Sequence, residues 1–135
     1  MAKYLLDTNH ASRLMGNDAR IIARVQHSQQ TGDEFGISMT VLGELHFAVY
    51  ASQHQAQNLY RLTRLLTTLR IYPFDQIAAE EFGRIQAEQK AKGRPIPPLD
   101  AQIAAVARQH GLAVLTSDQH FDYIDALDVE DWFAE

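Results

Sequence analysis

The sequence contains no cysteine among its 135 residues. This absence excludes disulfides, thiolate metal sites and a cysteine nucleophile, and it is compatible with a reducing cytosol. Any metal ion would have to be held by oxygen or imidazole ligands. The chain also lacks an apolar run near the roughly 18 residues of a membrane span, and its N-terminal apolar stretch is too short for a signal peptide. We therefore expect a soluble, cytoplasmic protein.

Basic residues are fewer than acidic ones, with 12 Lys and Arg against 17 Asp and Glu, so the formal net charge is −5. Proteins that coat nucleic acid bind phosphates through Lys and Arg, and this balance argues against that class. It does not exclude an enzyme that gathers acidic side chains in one cleft. Hydrophobic residues at 46% and charged residues at 21% are ordinary globular values. The length predicts a single domain over residues 1–135.

Short apolar runs alternate with stretches of helical periodicity along the chain. Strands are predicted at Tyr4–Leu6, Phe35–Ser38, Ile71–Phe74 and Leu112–Leu115, with a last short strand or docked tail near Leu127, Val129 and Trp132. Thr40 is predicted to cap the helix after the second strand, and Pro98 to exclude helix before Asp100. The alternation predicts an α/β fold in which helices cover both faces of a parallel sheet, with right-handed crossovers.

Four carboxylates are predicted to meet at one edge of this sheet. Asp7 follows the first strand and Asp118 follows the fourth, while Glu44 lies early in the helix after the second strand. Asp100 begins the helix that runs back before the fourth strand. Ligands of such sheets bind beyond the carboxyl ends of the strands, where all four acids would lie. Taken singly, each aspartate is also consistent with a cap or turn, which is the simpler interpretation of Asp7 alone, and Glu44 is consistent with an ordinary boundary position.

Four carboxylates at one edge would repel one another strongly at low dielectric, so without a cation some of them would bind protons. Ligation by carboxylates favours Mg²⁺ or Mn²⁺, whereas Zn²⁺ usually recruits His or Cys. The six histidines show no ligand-like pair on one helix face and are interpreted as surface or supporting residues. One or two divalent ions could activate a water for phosphodiester cleavage. No glycine-rich phosphate loop, GxGxxG motif or Ser-His-Asp motif favours another chemistry.

Four segments of the sequence together resemble the PIN-domain ribonucleases, and more narrowly the VapC-type toxins of bacterial toxin–antitoxin pairs. The segments are Leu5-Leu6-Asp7-Thr8-Asn9, Gly43-Glu44-Leu45, the run from Gly93 to Ala105, and Leu115-Thr116-Ser117-Asp118. The third is the most specific, because a G-x-P-I-x-x-x-D-x-x-I-A-A string seldom arises by accident. The resemblance covers nearly the whole chain, including the closing apolar residues up to Trp132.

The resemblance implies a PIN-like three-layer sandwich with a parallel sheet of about five strands. It implies an endoribonuclease dependent on Mg²⁺ or Mn²⁺ that acts as a toxin, with Asp7 and Asp100 as principal metal ligands. Glu44 and Asp118 would complete the acidic site through a second ion, a bound water or orientation of the attacking water. The implied partners are an RNA substrate, a VapB-like antitoxin whose C-terminal segment covers or enters the cleft, and a second copy of the chain in a homodimer or a larger complex.

The same resemblance implies smaller roles for neighbouring residues. Thr8 and Asn9 would support the site locally, and the Thr116 hydroxyl would hydrogen bond within it. Two positions depart from the family pattern: Ala48 replaces a glycine of many relatives and Asp118 replaces an asparagine. The second departure leaves Asp122 as another candidate for that corner of the site.

Basic residues on the predicted loops could attract RNA to this acidic cleft. Arg13, Lys90, Lys92 and Arg94 lie on segments that could rim it. We hypothesise that Lys92 and Arg94 contact substrate phosphates beside the metal. The simpler alternative is that they are solvated charges around a loop.

Other doubly wound folds with acidic strand ends fit the sequence less well. A receiver domain needs a lysine after its fifth strand to accompany an aspartate such as Asp75, and no matching lysine is found. A haloacid-dehalogenase-type phosphatase needs Asp-x-Asp after the first strand, where this chain has Asn9. The remaining alternative is a non-catalytic PIN-fold module that binds RNA or a partner protein, and the complete set of four acids argues against it.

Overall fold

A computed structural model describes residues 1–133, which form a five-stranded parallel sheet with six α-helices around it. The elements are β1 (Lys3–Leu6), α1 (Thr8–Met15), α2 (Ala19–Gln30), β2 (Glu34–Ser38), α3 (Met39–Ala51), α4 (Gln55–Leu66), β3 (Arg70–Tyr72), α5 (Gln76–Ala91), α6 (Pro98–His110), β4 (Ala113–Leu115) and β5 (Val129–Glu130). A 3₁₀ segment, Gln119–Tyr123, lies between β4 and β5. This architecture confirms the predicted fold class.

The strand order β3-β2-β1-β4-β5 places β1 at the centre of the sheet. Leu5 pairs with Gly36 of β2 on one side and with Val114 of β4 on the other. The ladder continues one residue beyond β1, since the Asp7 N–H donates to the Leu115 carbonyl at 3.1 Å. Because the chain winds outward from β1 in both directions, right-handed crossovers put the two sets of helices on opposite faces.

Two predicted helix boundaries were wrong. Ser38, not Thr40, caps α3, because its hydroxyl accepts the Val41 N–H at 3.2 Å. Thr40 lies inside the helix, where its hydroxyl donates to Gln102 Oε1 at 2.7 Å. Helix α6 begins at Pro98, which the sequence had assigned to a loop. Proline is tolerated at the first helical position because the N–H it lacks would have no partner there.

Strand ends also differ slightly from those predicted. Edge strand β3 stops at Tyr72, so Pro73 and Phe74 lie beyond it. Pro73 therefore follows an edge strand, as a residue without an N–H is expected to do. The predicted final strand is present as β5, which pairs with β4 at Val129 and Glu130. None of the helices in residues 1–133 combines the length and apolarity needed to cross a bilayer.

The core lies between the sheet and the helices that pack on it. Leu5 and Leu6 of β1 are fully buried, as both faces of a central parallel strand should be. Helix α6 contributes a run of small buried residues, Ala101, Ala104, Ala105 and Ala107, which suits a helix that packs closely on its neighbours. Beside β1, the rings of Tyr4 and Phe35 both lie against Trp132 near the end of the chain, with centroids 5.1 and 5.4 Å away.

We predict that Gly36→Ala destabilises the fold by about 1–3 kcal/mol. A Cβ at this position in β2 would lie 2.5 Å from Cε2 of Tyr72 and 2.7 Å from the Arg70 carbonyl, so β3 would have to move. Gly83→Ala is the matched control, since its Cβ would meet nothing within 4 Å, and removing glycine from a helix interior should stabilise by up to about 1 kcal/mol. Urea unfolding measures both changes, and equal stability of the two variants would contradict the prediction.

Candidate metal centre

Asp7 stands where β1 ends and α1 begins. As the N-cap of α1, it accepts the His10 backbone N–H on Oδ1 at 2.8 Å. The same oxygen lies 3.2 Å from Nδ1 of the His10 ring. The carboxylate is buried, with 6% of the residue exposed. A helix N-terminus stabilises negative charge, so the strand–helix junction can hold an acid that burial would otherwise disfavour.

Asp118 is held just beyond β4 by a second local network. The buried Thr116 side chain accepts the Asp118 N–H on Oγ1 at 3.0 Å. Asp118 in turn caps the 3₁₀ segment, accepting the His120 N–H on Oδ1 at 2.9 Å. Because β1 and β4 are parallel neighbours, Asp7 and Asp118 leave the sheet at the same edge.

Asp100, Asp118 and His120 form a close group with metal-ligand spacing. His120 Nδ1 lies 2.8 Å from Asp118 Oδ1 and 3.6 Å from Asp100 Oδ2. One ligand atom from each residue lies within 4.8 Å of the other two. His120 Nδ1 is buried and, among residues 1–133, has no hydrogen-bond partner. Its short contact with Asp118 therefore lacks the alignment of a hydrogen bond.

The charges of Asp118, His120 and Asp7 all act on the Asp100 carboxylate. Burial and the neighbouring negative charge of Asp118 raise the pKa of Asp100 from 3.8 to about 6. The charge of Asp7 adds to the rise, and His120 opposes it. A raised pKa means that the folded protein holds the carboxyl proton more tightly than an exposed aspartate does. A divalent cation would remove the repulsion, so the residues fit a metal ion.

Glu44 does not belong to the close group. It is half-buried on α3, one turn beyond Thr40 on the same face of the helix. Since the Thr40 hydroxyl bonds Gln102 of α6, that face is directed towards the helix that carries Asp100. The structure therefore brings Asp100, Asp118 and His120 together, close enough to Asp7 for its charge to act on Asp100, and leaves Glu44 on α3 outside the group.

The other predicted site residues are placed less closely. Thr8 is the half-buried first residue of α1, and Asn9 beside it is exposed. Asp122 is an exposed residue of the 3₁₀ segment outside the close group, whereas Asp118 lies inside it. Of the two aspartates that the sequence offered for this position, Asp118 is the one that belongs to the close group.

Lys92 and Arg94 both contact the 3₁₀ segment that carries His120. Lys92 Nζ donates to the Tyr123 carbonyl at 3.1 Å and pairs with Asp125 Oδ2 at 2.9 Å. The Arg94 guanidinium stacks on the Tyr123 ring at 4.7 Å. The Arg13 guanidinium lies over the Phe133 ring at 4.1 Å, and that ring packs on His10 with centroids 4.1 Å apart. The exposed Arg94 remains available for a second partner, and its phosphate contact stays a prediction.

Sequence reasoning gave the six histidines only surface or supporting roles, which fits His10 beside Asp7 but not His120 in the close group. It assigned them no ligand role, because none forms a ligand-like pair at helical spacing. His120 reaches the acids from an irregular 3₁₀ segment, and His10 is buried against Asp7. The only available signals were an Asp-x-His sequence after a strand end and a histidine three residues beyond a capping aspartate.

Comparison with known proteins agrees with this fold. The PIN domain family matches residues 4–127, so the chain belongs to the PIN domain family. It is 32% identical to a protein of Shigella flexneri named tRNA(fMet)-specific endonuclease VapC, over 98% of this chain and 99% of that relative. These findings confirm the resemblance that the sequence motifs indicated.

Solved structures of related complexes superpose on the same chain. DNA-bound VapBC from Salmonella typhimurium has a TM-score of 0.88 and 31% identity, covering 98% of this chain and 99% of the other. VapBC-5 from Mycobacterium tuberculosis, described as a member of the VapBC family of toxin–antitoxin systems, has a TM-score of 0.70 and 28% identity. That match covers 97% of this chain and 98% of the other.

We predict that Asp100→Asn stabilises the metal-free protein by ~1–2 kcal/mol near neutral pH. Because folding raises the pKa of Asp100 from 3.8 to about 6, its contribution to stability is full below pH 3.8 and is lost as pH rises through about 6. The amide removes that loss, so the two proteins should converge in stability at acidic pH. Urea unfolding in EDTA across this range measures the difference. Asp122→Asn is the control, and a destabilised Asp100→Asn protein at neutral pH would contradict the prediction.

Proposed function

We propose that this protein is a metal-dependent endoribonuclease that acts as the toxin of a toxin–antitoxin pair. The observation that carries the proposal is the group Asp100, Asp118 and His120, which lies in ligand spacing at the carboxyl edge of a PIN-type sheet with Asp7 beside it. The full-length similarity to a VapC endonuclease supports RNA as the substrate class. Retention of the acids argues against a PIN-fold module that only binds RNA or protein.

The ion we propose is Mn²⁺ or Mg²⁺. Carboxylate oxygens suit both, and the imidazole nitrogen of His120 favours Mn²⁺, the transition metal of the two. When bound, such an ion activates a water and stabilises the charge that develops on the phosphate. Asp100, Asp118 and His120 would hold it from α6 and the 3₁₀ segment, and Asp7 would approach from β1. Asp7 and Asp100 are proposed as the principal anionic ligands.

The residues around the ion would prepare the phosphodiester for attack. Thr116 fixes the backbone of Asp118, which limits how far that carboxylate can move. Glu44 on α3 would orient the attacking water or reach a second ion. Thr8 and Asn9 would support the turn at Asp7, and Lys92 and Arg94 would neutralise substrate phosphates at the rim.

We also propose a VapB-like antitoxin as a protein partner, with its C-terminal segment covering the acidic cleft, and a homodimer or larger complex. The similarity to the VapBC complexes supports this assignment. Exposed aromatic residues provide a second support, because Phe47 and Tyr50 on α3 are 71% and 60% exposed. Large exposed apolar side chains grouped on one element are typical of surfaces that bind other proteins.

Cleavage of a mixed single-stranded RNA pool tests the activity. We expect cleavage with Mn²⁺ or Mg²⁺ and none in EDTA. The Asp7→Asn, Asp100→Asn and Asp118→Asn variants should each cleave more slowly by on the order of 100-fold, because each removes an anionic ligand. Asp122→Asn should cleave at a rate close to that of the unchanged protein, since its side chain lies outside the close group. Undiminished cleavage in EDTA, or by the Asp100→Asn variant, would exclude the proposed mechanism.

Salt dependence tests the two basic residues at the rim. Arg94→Gln and Lys92→Gln should each weaken RNA binding and lower the slope of log affinity against log salt by roughly 0.7, the value for one phosphate contact on a single strand. Lys3→Gln, at the opposite end of β1, is the control and should leave the slope unchanged. A lower affinity with an unchanged slope would show that these residues only support the 3₁₀ segment.

A further inference from the structure

His10 connects the candidate metal centre to residues 131–133, which are called the C-terminal tail below. Its side chain is completely buried, with no exposed surface. One ring nitrogen, Nδ1, lies 3.2 Å from Asp7 Oδ1. The other, Nε2, lies 3.3 Å from the backbone nitrogen of Trp132, which follows it by 122 positions in the sequence. A single imidazole therefore bridges a proposed metal ligand and the tail.

The tail contact determines which nitrogen carries the proton. The Trp132 N–H is a donor at 3.3 Å, so Nε2 acts as the acceptor and carries no proton, while Asp131 Oδ1 lies 3.9 Å from the same nitrogen, beyond hydrogen-bond distance. The neutral ring then carries its proton on Nδ1, where it donates to Asp7 Oδ1. That oxygen also accepts the His10 backbone N–H. Two donors from the same residue thus hold one oxygen of Asp7 and fix the plane of its carboxylate.

The tail is held firmly enough to impose this tautomer. The buried Trp132 ring packs edge-on against Tyr4 and Phe35, and the Arg24 guanidinium covers it at 4.1 Å. The Ser117 hydroxyl donates to Asp131 Oδ1 at 2.8 Å, which ties the tail to the loop after β4. The Trp132 N–H consequently has a defined position with respect to both β1 and the loop that leads to Asp118.

We propose that His10 is a positioning residue that orients the Asp7 carboxylate for metal binding, and that the C-terminal tail sets its tautomer. This proposal rests on the proposed metal-dependent function. Contacts of this kind commonly aim a metal ligand, and their loss lowers metal affinity even though they do not touch the ion. The second oxygen of Asp7 is then presented to the ion in one fixed orientation.

The tautomer of His10 can be measured without any metal. Long-range ¹H–¹⁵N NMR of the unchanged protein in EDTA should show a protonated Nδ1 and an unprotonated Nε2. A protonated Nε2, or an even mixture of tautomers, would overturn the proposal whatever the nuclease assays show. This measurement uses the unchanged protein, so it decides the question even if substitutions at His10 prevent folding.

Two substitutions at His10 separate its contacts. In His10→Asn the side-chain amide takes the place of Nδ1 and can still donate to Asp7, but nothing reaches Trp132. In His10→Gln the terminal amide oxygen takes the place of Nε2 and can accept from Trp132, but the donor to Asp7 is lost. Mn²⁺ titration followed by electron paramagnetic resonance should give a dissociation constant raised roughly 10-fold for Gln and within about 3-fold of normal for Asn. His27→Gln, an exposed substitution on α2, is the control.

Thermal unfolding of the same variants excludes a merely structural role. Mn²⁺ affinity should depend on whether residue 10 still donates a hydrogen bond to Asp7. The His10→Asn variant should therefore bind Mn²⁺ more tightly than the His10→Gln variant, even if it is the less stable of the two. If affinity follows stability instead, or if the Gln variant binds Mn²⁺ normally while Asp7→Asn does not, the positioning role is wrong and the nuclease proposal stands. If the unchanged protein binds no Mn²⁺ and cleaves no RNA, both proposals fail together.

Discussion

Repulsion between carboxylates gathered at one edge of the sheet is the constraint on which this structure depends. Asp7, Asp100 and Asp118 come from three separate segments of the chain. Burial and the negative charges of Asp118 and Asp7 together raise the pKa of Asp100 to about 6. An isolated protein would gain by moving such groups apart. The surrounding fold must therefore hold them in place, and a divalent cation would supply the charge that makes the arrangement favourable.

The scaffold holds each acid by a different local device. Asp7 is fixed as an N-cap at the end of the central strand, with His10 and the tail behind it. Asp118 is fixed by the Thr116 hydroxyl and by its own capping bond. The 3₁₀ segment that carries His120 is tied down by Lys92 and Arg94 through Tyr123. Rigid support of this kind is what a metal centre needs, because ligands must be placed before the ion arrives.

Local patterns in the sequence predicted most of this architecture. The parallel sheet and its first strand follow from short-range chemistry, and the structure has them. Errors arose where one residue type has two common roles. Pro98 can end a loop or begin a helix, and Thr40 can cap a helix or bond to another one. The choice depended on Ser38 and Gln102, and Gln102 is 62 positions from Thr40 in the chain.

The sequence by itself determined which acids stand at strand ends and helix starts, since that follows from the order of elements along the chain. It also identified the PIN family through its motifs. Only the tertiary structure decided which side chains meet. His120 joins the acids, Asp122 does not, and His10 lies between Asp7 and the Trp132 N–H. These outcomes depend on distances between segments far apart in the chain, and neither periodicity nor motif spacing contains those distances.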